Sequence, residues 1–416
     1  MNRWVKFVAI AIVLLVIVIV SLGAGIVIGS TGLGIFAGSA ANADQPEEFT
    51  IFWQAWDTVQ KNFVDREALD PKVMTYGAIR GMVQSLGDEG HTAFLTAEER
   101  ERQTTELSGT FSGIGASLGV RDQLPVIIAP FDGSPADQAG VKAGDIILSV
   151  NGEDVTSLPL NDIVTRIRGP EGTEVTLSLL RPDENRSVEV TITRGEIKVP
   201  AATWAMIPGT SVALIRLSQF QANGEADMIK SLEEAREANA TAMIVDVRNN
   251  PGGLLDQAVN VTSQFLTSGN VLLEEDANGQ RKAYPVKRGG IGTELPMVVL
   301  INGGSASSSE ILAGAVQDHD RGELVGETTF GTGTVLQPYI LEDGSALLLG
   351  TRQWLTPEGR LIRKQGISPD YEVLLPIEAD LLTPEEIEQL EPAEIAASED
   401  TQMLKALEVL GVELEE

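Results

Sequence analysis

A chain of 416 residues is long enough for two or three domains, and its 43% hydrophobic content is that of a globular protein. A formal net charge of −30, from 60 acidic and 30 basic residues, excludes a general nucleic-acid binder, because no broad face could neutralise phosphates. With no cysteine and only two histidines there is no disulfide, no thiolate and no metal-ligand cluster, and Gly113-Ile114-Gly115 lacks the rest of a nucleotide fingerprint, so no metal and no cofactor is expected.

Residues 7–28 form an uncharged, almost wholly apolar run, long enough to span a bilayer. Arg3 and Lys6 precede it, and no charge follows until Asp44. The positive-inside rule then keeps the N-terminus in the cytoplasm and sends the bulk of the chain out of it. Ala41-Asn42-Ala43 would serve as a cleavage site, but the run is long for a signal peptide. Residues 1–29 are therefore read as a transmembrane anchor or signal segment, with a single-pass anchor in the cell membrane expected. Residues 30–46, rich in glycine, alanine and serine, read as a flexible tether.

Residues 47–107 read as helical. Phe49, Phe52, Trp53, Trp56, Val59 and Phe63 recur at helical spacing, as do Ile79, Met82, Val83 and Leu86. An aromatic stripe of this kind is expected to be packing. From 108 to 199 short strands alternate with turns: Val126-Ile127-Ile128, then 145–150 and 175–180, with Asn151-Gly152 as a hairpin turn and a short amphipathic helix at 160–168.

Residues 200–376 alternate strand and helix, the pattern of an α/β core with a mostly parallel sheet. Ala242 to Arg248 reads as a buried strand running into Asn249-Asn250-Pro251-Gly252-Gly253, with a helix after Leu254. A second unit pairs an apolar strand at 296–301 with Gly303-Gly304-Ser305-Ala306-Ser307-Ser308-Ser309-Glu310 and another helix. The spacing lets the two strands be neighbours in one parallel sheet. Ser307 then sits where free N–H groups and the positive end of a helix dipole converge, a place that stabilises an oxyanion. Ser307 and Glu310 also have capping-box spacing, so the residues alone fit either an N-cap or a nucleophile. Residues 377–416 carry one basic residue, Lys405, among many acidic ones; a solvated tail with a final helix is expected.

Taken together, these segments resemble the C-terminal processing (tail-specific) serine protease family. The resemblance is carried by Asp246-Val247-Arg248-Asn249-Asn250-Pro251-Gly252-Gly253-Leu254-Leu255, by Ser305 to Glu310 with Ala313-Gly314-Ala315-Val316-Gln317-Asp318, and by Gly326-Glu327-Thr328-Thr329-Phe330-Gly331. Residues 108–199 resemble a PDZ domain, on Gly113-Ile114-Gly115-Ala116, Ser134-Pro135-Ala136-Asp137-Gln138-Ala139-Gly140-Val141 and Gly144-Asp145-Ile146-Ile147-Leu148-Ser149-Val150-Asn151-Gly152. In such a domain the Gly113–Ala116 loop would offer N–H groups to a peptide's terminal carboxylate, and the peptide would add a strand to the sheet edge.

The resemblance implies a serine nucleophile, matched by Ser307, and a lysine base. The lysine position holds Thr332, whose hydroxyl has no accessible pKa near neutrality. His319 lies about 18 Å along the helix from Ser307, out of hydrogen-bond reach, and His91 is read as structural. Asp318, about 16 Å along the same axis, matches a supporting aspartate of the family. Lys364 is the remaining amine; the alternative is a solvated loop lysine. Gln337 falls one residue later than the family glutamine that orients the base. The oxyanion hole would be formed by N–H groups of Ser308 and Gly252. The implied function is a membrane-anchored serine endopeptidase acting outside the cytoplasm, on protein C-termini or unfolded segments. Two alternatives remain: a homologue that lost its base and only binds C-termini, and a small-molecule acyl hydrolase, against which the PDZ segment argues.

Overall fold

The computed structural model describes residues 46–414, apart from 89–90, 122, 132, 185, 377–378 and 413. The expected anchor and most of the tether lie outside the described residues. Among the described residues no helix is long and apolar enough to cross a membrane.

The chain divides into a unit ending at Met74 and a unit that starts at Thr75. In the first, the helix Phe49–Asn62 buries none of its residues. Its rings lean on one another instead: Phe52 lies 5.2 Å from Trp53 and 6.2 Å from Trp56, centroid to centroid. Within this unit the packing of the stripe is thus ring against ring.

The second unit is built on a six-stranded sheet. Its order is Ala202–Met206, Val212–Leu217, Ala242–Asp246, Met297–Ile301, Glu323–Gly326 and Tyr371–Glu372. The first pair is antiparallel and the other four pairings are parallel. Ala242–Asp246 and Met297–Ile301 are buried at every position, as parallel strands covered on both faces must be. Their side chains alternate between two cores. Val245, Val299 and Ile301 pack with Ile311, Leu312 and Val316 of the helix Ser308–Asp318. Ile244, Val298 and Leu300 face the opposite way.

A mostly parallel arrangement therefore holds for this sheet alone. A second sheet is antiparallel throughout: Ala93–Leu95, Ala346–Leu355, Asn270–Glu275 and Arg281–Pro285, with Thr334–Ile340 also paired to Ala346–Leu355. Thr334–Ile340 and Ala346–Leu355 are joined by a tight turn, the signature of a hairpin rather than a crossover.

The acidic tail is also not the solvated face expected of it. Leu382, Ile387, Ile395, Met403 and Leu407 pack on Ile244, Val298 and Leu300, covering the second face of the central sheet. The periodicity of the acidic residues hid an apolar stripe beneath. Asp400 caps the last helix, Thr401–Val409, through the Met403 N–H at 3.0 Å. Its carboxylate also takes the Arg248 guanidinium at 2.7 Å. Arg248 is wholly buried and pairs with Asp246 as well, at 2.9 Å. Asp246 in turn holds Arg216 at 2.9 Å. Two carboxylates and two guanidinium groups thus neutralise each other in the interior, which a lone buried charge could not do.

Residues 116–193 form a six-stranded antiparallel sheet closed by two helices, with Ile127, Ile147, Ile163, Leu177 and Leu179 fully buried, and Thr110–Gly113 pairs with Gly195–Lys198 as a separate two-stranded sheet. Its strand Ala116–Arg121 is an edge, paired only with Leu124–Pro130. The helix Leu160–Ile167 packs beside that edge. Arg194 closes the helix, donating to the Ile167 carbonyl at 2.7 Å and to that of Arg166 at 3.2 Å.

Removing Asp400 leaves Arg248 with half its compensation and strips an acceptor from the Leu382 and Met403 N–H groups. Asp400→Ala should lower unfolding stability by about 3 kcal/mol, read as a lower denaturant midpoint. A shift below about 0.5 kcal/mol, the size of an ordinary surface change, would show that the clasp contributes nothing.

Candidate active site

The parallel register sets Asp246 opposite Leu300, so both strands end side by side and their loops leave from the same edge. Asn249 N–H donates to Asn302 Oδ1, and Asn302 Nδ2 returns the bond to Asn249 Oδ1, both at 2.9 Å. Ala306 N–H reaches the Asn250 carbonyl at 3.0 Å, and Ser305 Oγ that of Val247 at 2.7 Å. The two glycine-rich loops are thus laced together just before the helix Ser308–Asp318.

Ser307 stands at that junction, half-buried, with φ +54° and ψ −112°. A capping serine has extended backbone angles. Positive φ is rare for a residue with a Cβ, costs about 1–3 kcal/mol, and clusters at functional sites. A sharp, strained strand-to-helix turn is also what lifts a nucleophilic serine out of a sheet edge. Ser307 and Glu310 do have the reciprocal contacts of a capping box, and the Glu310 N–H also reaches the Ser307 carbonyl at 2.9 Å, so it is the backbone angles that set Ser307 apart from an ordinary cap. The backbone therefore favours the nucleophile over the cap.

Gly252 lies against it. A Cβ there would sit 2.8 Å from Ser307 Cβ and 2.8 Å from the Ser308 nitrogen, and its φ of +96° also requires glycine. The Gly252 N–H, however, turns back to Asn250 Oδ1 at 2.9 Å. The Gly253 N–H and the Ser308 N–H have no acceptor among the described residues. Ser308 Oγ reaches the Gly253 carbonyl at 3.3 Å, so these groups border one space.

Glu310 organises the other side. Its wholly buried carboxylate accepts from the N–H groups of Ser307 at 2.9 Å, Gly331 at 2.6 Å and Thr332 at 3.0 Å, and from the Thr329 hydroxyl at 2.6 Å. The loop 329–332 is thereby held to the nucleophile. Capping-box spacing singled out Glu310 in the sequence, but its three further donors come from residues about twenty positions on, which local pattern cannot reveal.

Thr332 is buried, and its Oγ1 accepts from the Ser307 N–H at 3.3 Å. Thr332, the position where the resemblance implies a lysine, is thus bonded to Ser307 through its hydroxyl. Lys364 is exposed, with φ +61°, and its N–H donates to the Gly331 carbonyl at 2.7 Å. Among the described residues its ammonium has no hydrogen bond or ion pair. Its neighbour Arg363 is fixed by Asp88 through bonds of 2.9 and 3.2 Å. Gln337 is exposed on the strand Thr334–Ile340.

Asp318 lies at the far end of the helix from Ser307. It binds Arg360 and accepts from the Glu358 N–H at 2.8 Å, so it secures the turn 356–360. His319 contacts the Asn270 carbonyl at 2.8 Å. His91 meets the Thr334 hydroxyl, and burial lowers its pKa to about 4, so it is neutral near pH 7. Neither histidine is bonded to Ser307.

In the region 110–199, Gly113 ends a short strand and Ile114 is buried in the core. The Ile114 carbonyl accepts from Ala136 N–H at 2.8 Å, and that of Gly115 from Phe131 N–H at 2.9 Å and Ser134 Oγ at 2.8 Å. Gly115 needs its φ of +73°, since a Cβ would come within 2.5 Å of Ser134 Cβ. Ala116 opens the edge strand directly after this loop. Among the described residues no group of acidic and histidine side chains is placed to hold a metal ion.

Comparison with known proteins agrees with this layout. Residues 211–373 match peptidase family S41, and residues 126–181 match a PDZ domain. The carboxyl-terminal-processing protease of Synechocystis sp. is 36% identical over 79% of this chain and 77% of its own length. The carboxy-terminal processing protease CtpB of Bacillus subtilis is 32% identical over 82% of this chain and 71% of its own. The solved photosystem II D1 C-terminal processing protease is 29% identical over 83% of this chain and 97% of its own, with a TM-score of 0.45. With its strained serine between two laced glycine loops and its PDZ domain, the chain belongs to the carboxyl-terminal processing proteases of peptidase family S41 and is a serine-type peptidase.

Proposed function

We propose that Ser307 is the nucleophile of a membrane-anchored endopeptidase that cleaves protein C-termini or unfolded segments outside the cytoplasm. The observation that carries the nucleophile is the backbone of Ser307, strained where a simple cap would be relaxed. Its Oγ gives its proton to a base and bonds to the scissile carbonyl carbon. The oxyanion is met by the N–H groups of Ser308 and Gly253, both without acceptors among the described residues, rather than by the Gly252 N–H held by Asn250. Collapse breaks the C–N bond, the leaving amine takes the proton, and water then hydrolyses the ester.

Lys364 is assigned as the base. Its turn is bonded to Gly331, next to Thr332, and the Asp88–Arg363 pair steadies it. Thr332 supplies a neutral hydroxyl that supports the Ser307 N–H and cannot itself remove a proton. Asp318 acts at a distance, through the turn 356–360. The Gly113–Ala116 loop, with the open edge of Ala116–Arg121, supports capture of a free C-terminus by strand addition. Anchoring rests on the apolar run 7–28 and the charges of Arg3 and Lys6.

Ser307→Ala should abolish hydrolysis of an unfolded substrate. Lys364→Ala should lower kcat about 10²–10⁴-fold, the usual contribution of a general base, and Thr332→Lys should add little. The opposite pattern, with Thr332→Lys raising turnover and Lys364→Ala silent, would remove Lys364 from the mechanism. If wild type cleaves nothing across a range of unfolded substrates but still binds C-terminal peptides, the protein is a binder.

Amidating a peptide's C-terminus should weaken its binding to the Ser307→Ala chain at least about tenfold, since the carboxylate loses its N–H donors. Equal binding of acid and amide would place the recognition elsewhere.

In fractionated cells the chain should pellet with membranes, resist alkaline carbonate and be digested by protease added from the outer side. Recovery in the soluble fraction would refute the anchor.

A further inference from the structure

Two residues well ahead of the protease core in the chain close on the loops beside Ser307. Asp88 and His91 follow the helix Pro71–Gln84. The Asp88 side chain is only 11% exposed, and its Oδ1 takes the Arg363 guanidinium at 2.9 and 3.2 Å. Its Oδ2 accepts from the Thr92 hydroxyl at 2.6 Å, and Thr92 Oγ1 accepts in turn from the Gly350 N–H at 3.0 Å. Burial alone would raise the Asp88 pKa, but Thr92 and Arg363 hold it below the ordinary aspartate value, so the pair is charged near pH 7. His91 Nδ1 meets the Thr334 hydroxyl.

Both contacts end on backbone that leads directly to the site. Arg363 precedes Lys364, whose N–H is bonded to the Gly331 carbonyl. Gly333 lies close against Arg363, since a Cβ on it would come within 2.5 Å of Arg363 Cα. Thr334 is two residues from Thr332, whose hydroxyl is bonded to the Ser307 N–H. Glu310 ties one part of this loop to Ser307. Asp88 and His91 hold the residues that follow, and the turn packed on them. The same N-terminal stretch grips the rest of the hairpin that Thr334 begins. Ala93–Leu95 pairs with Ala346, Leu347 and Leu348, and the Tyr76 hydroxyl donates to Asp343 at 2.6 Å in the connecting turn. The hairpin is thus fixed at its start, along its length and at its tip.

We propose that Asp88, through Arg363, and His91, through Thr334, are positioning residues for the hydrolysis, setting the loop 331–334 and the turn at Lys364 against Ser307. The inference rests on the peptidase reading above. It makes the rate of cleavage depend on residues that precede the PDZ domain in the chain. A misplacement of about 1 Å caused far from the chemistry is enough to cost about 10²-fold in rate.

The test uses the full-length chain, an unfolded protein substrate and a fluorophosphonate, which a reactive Ser307 Oγ attacks at phosphorus with loss of fluoride. The final extent of labelling counts folded sites, and its rate reports the reactivity of Ser307 apart from substrate binding. Asp88→Asn keeps the side chain's shape and removes its charge. It should lower kcat and the labelling rate together, about 10²-fold, and leave KM and the extent of labelling unchanged. Arg363→Gln should do the same, and the two changes together should cost no more than either alone, because they break one contact. An unchanged kcat would overturn the proposal. So would a loss wholly accounted for by fewer labelled sites, which would make the pair a support for folding only. Losses that multiply would show that Asp88 does not act through Arg363, and would overturn it too. Should Asp88→Asn fail to fold, His91→Ala frees Thr334 and must show the same split between kcat and KM, or the proposal fails. A wild-type chain that neither cleaves nor labels would remove the peptidase reading and this inference with it, whereas an active wild type with silent variants would remove this inference alone.

Discussion

The parallel pairing of Ala242–Asp246 with Met297–Ile301 is the constraint on which the site depends. Two parallel strands that start in register also end in register, so whatever follows them emerges at one edge. The chemistry is then a matter of what the two loops contain. One brings Asn249, Asn250 and two glycines in backbone conformations closed to other residues; the other brings Ser307. The asparagine bonds between them take up the polar groups that such close loops would otherwise strand.

Two buried carboxylates carry this arrangement outward. Glu310 ties the start of the helix to the loop 329–332, and its partners are N–H and O–H groups rather than cations. Asp246 works through charge, joining Arg216 and Arg248 behind the glycine loop and, through Arg248, reaching Asp400 in the tail. Glu310 holds the loop 329–332 to Ser307, and Asp246 supports the strand that carries the other loop.

Much of this was legible in the chain. Strand–glycine–helix units are short, ordered and periodic, so the two loops followed from local pattern, which also allowed their adjacency, while the PDZ segment was recognised by its resemblance to that domain family. The rest depended on contacts between distant residues. The Gly252 N–H that folds back on Asn250, two residues earlier, is the exception, a local Asx turn that the assignment of Gly252 to the oxyanion hole passed over. The tail reads as a solvated face because its charges dominate, yet Leu382, Ile387, Ile395, Met403, Ala406 and Leu407 are apolar and pack on the sheet. The aromatic stripe on Phe49–Asn62 has the periodicity of packing, and its rings lean on one another with no residue of the helix buried, which periodicity cannot disclose. The antiparallel second sheet was not foreseen: its two hairpins are local, but the pairing of Ala346–Leu355 with Asn270–Glu275 and with Ala93–Leu95 joins residues far apart in the chain.

The tail has one more consequence. Ile244, Val298 and Leu300 are synthesised well before Leu382, Met403 and Leu407, which cover them. During synthesis the PDZ domain can complete its own core first, since all of that core lies within residues 114–192. The central sheet cannot, because one of its faces stays bare until the final helix arrives. Ser307 and its two loops are thus carried on a sheet whose second face is covered by residues that follow them in the chain, so the support of the loops is completed after the loops themselves have been made.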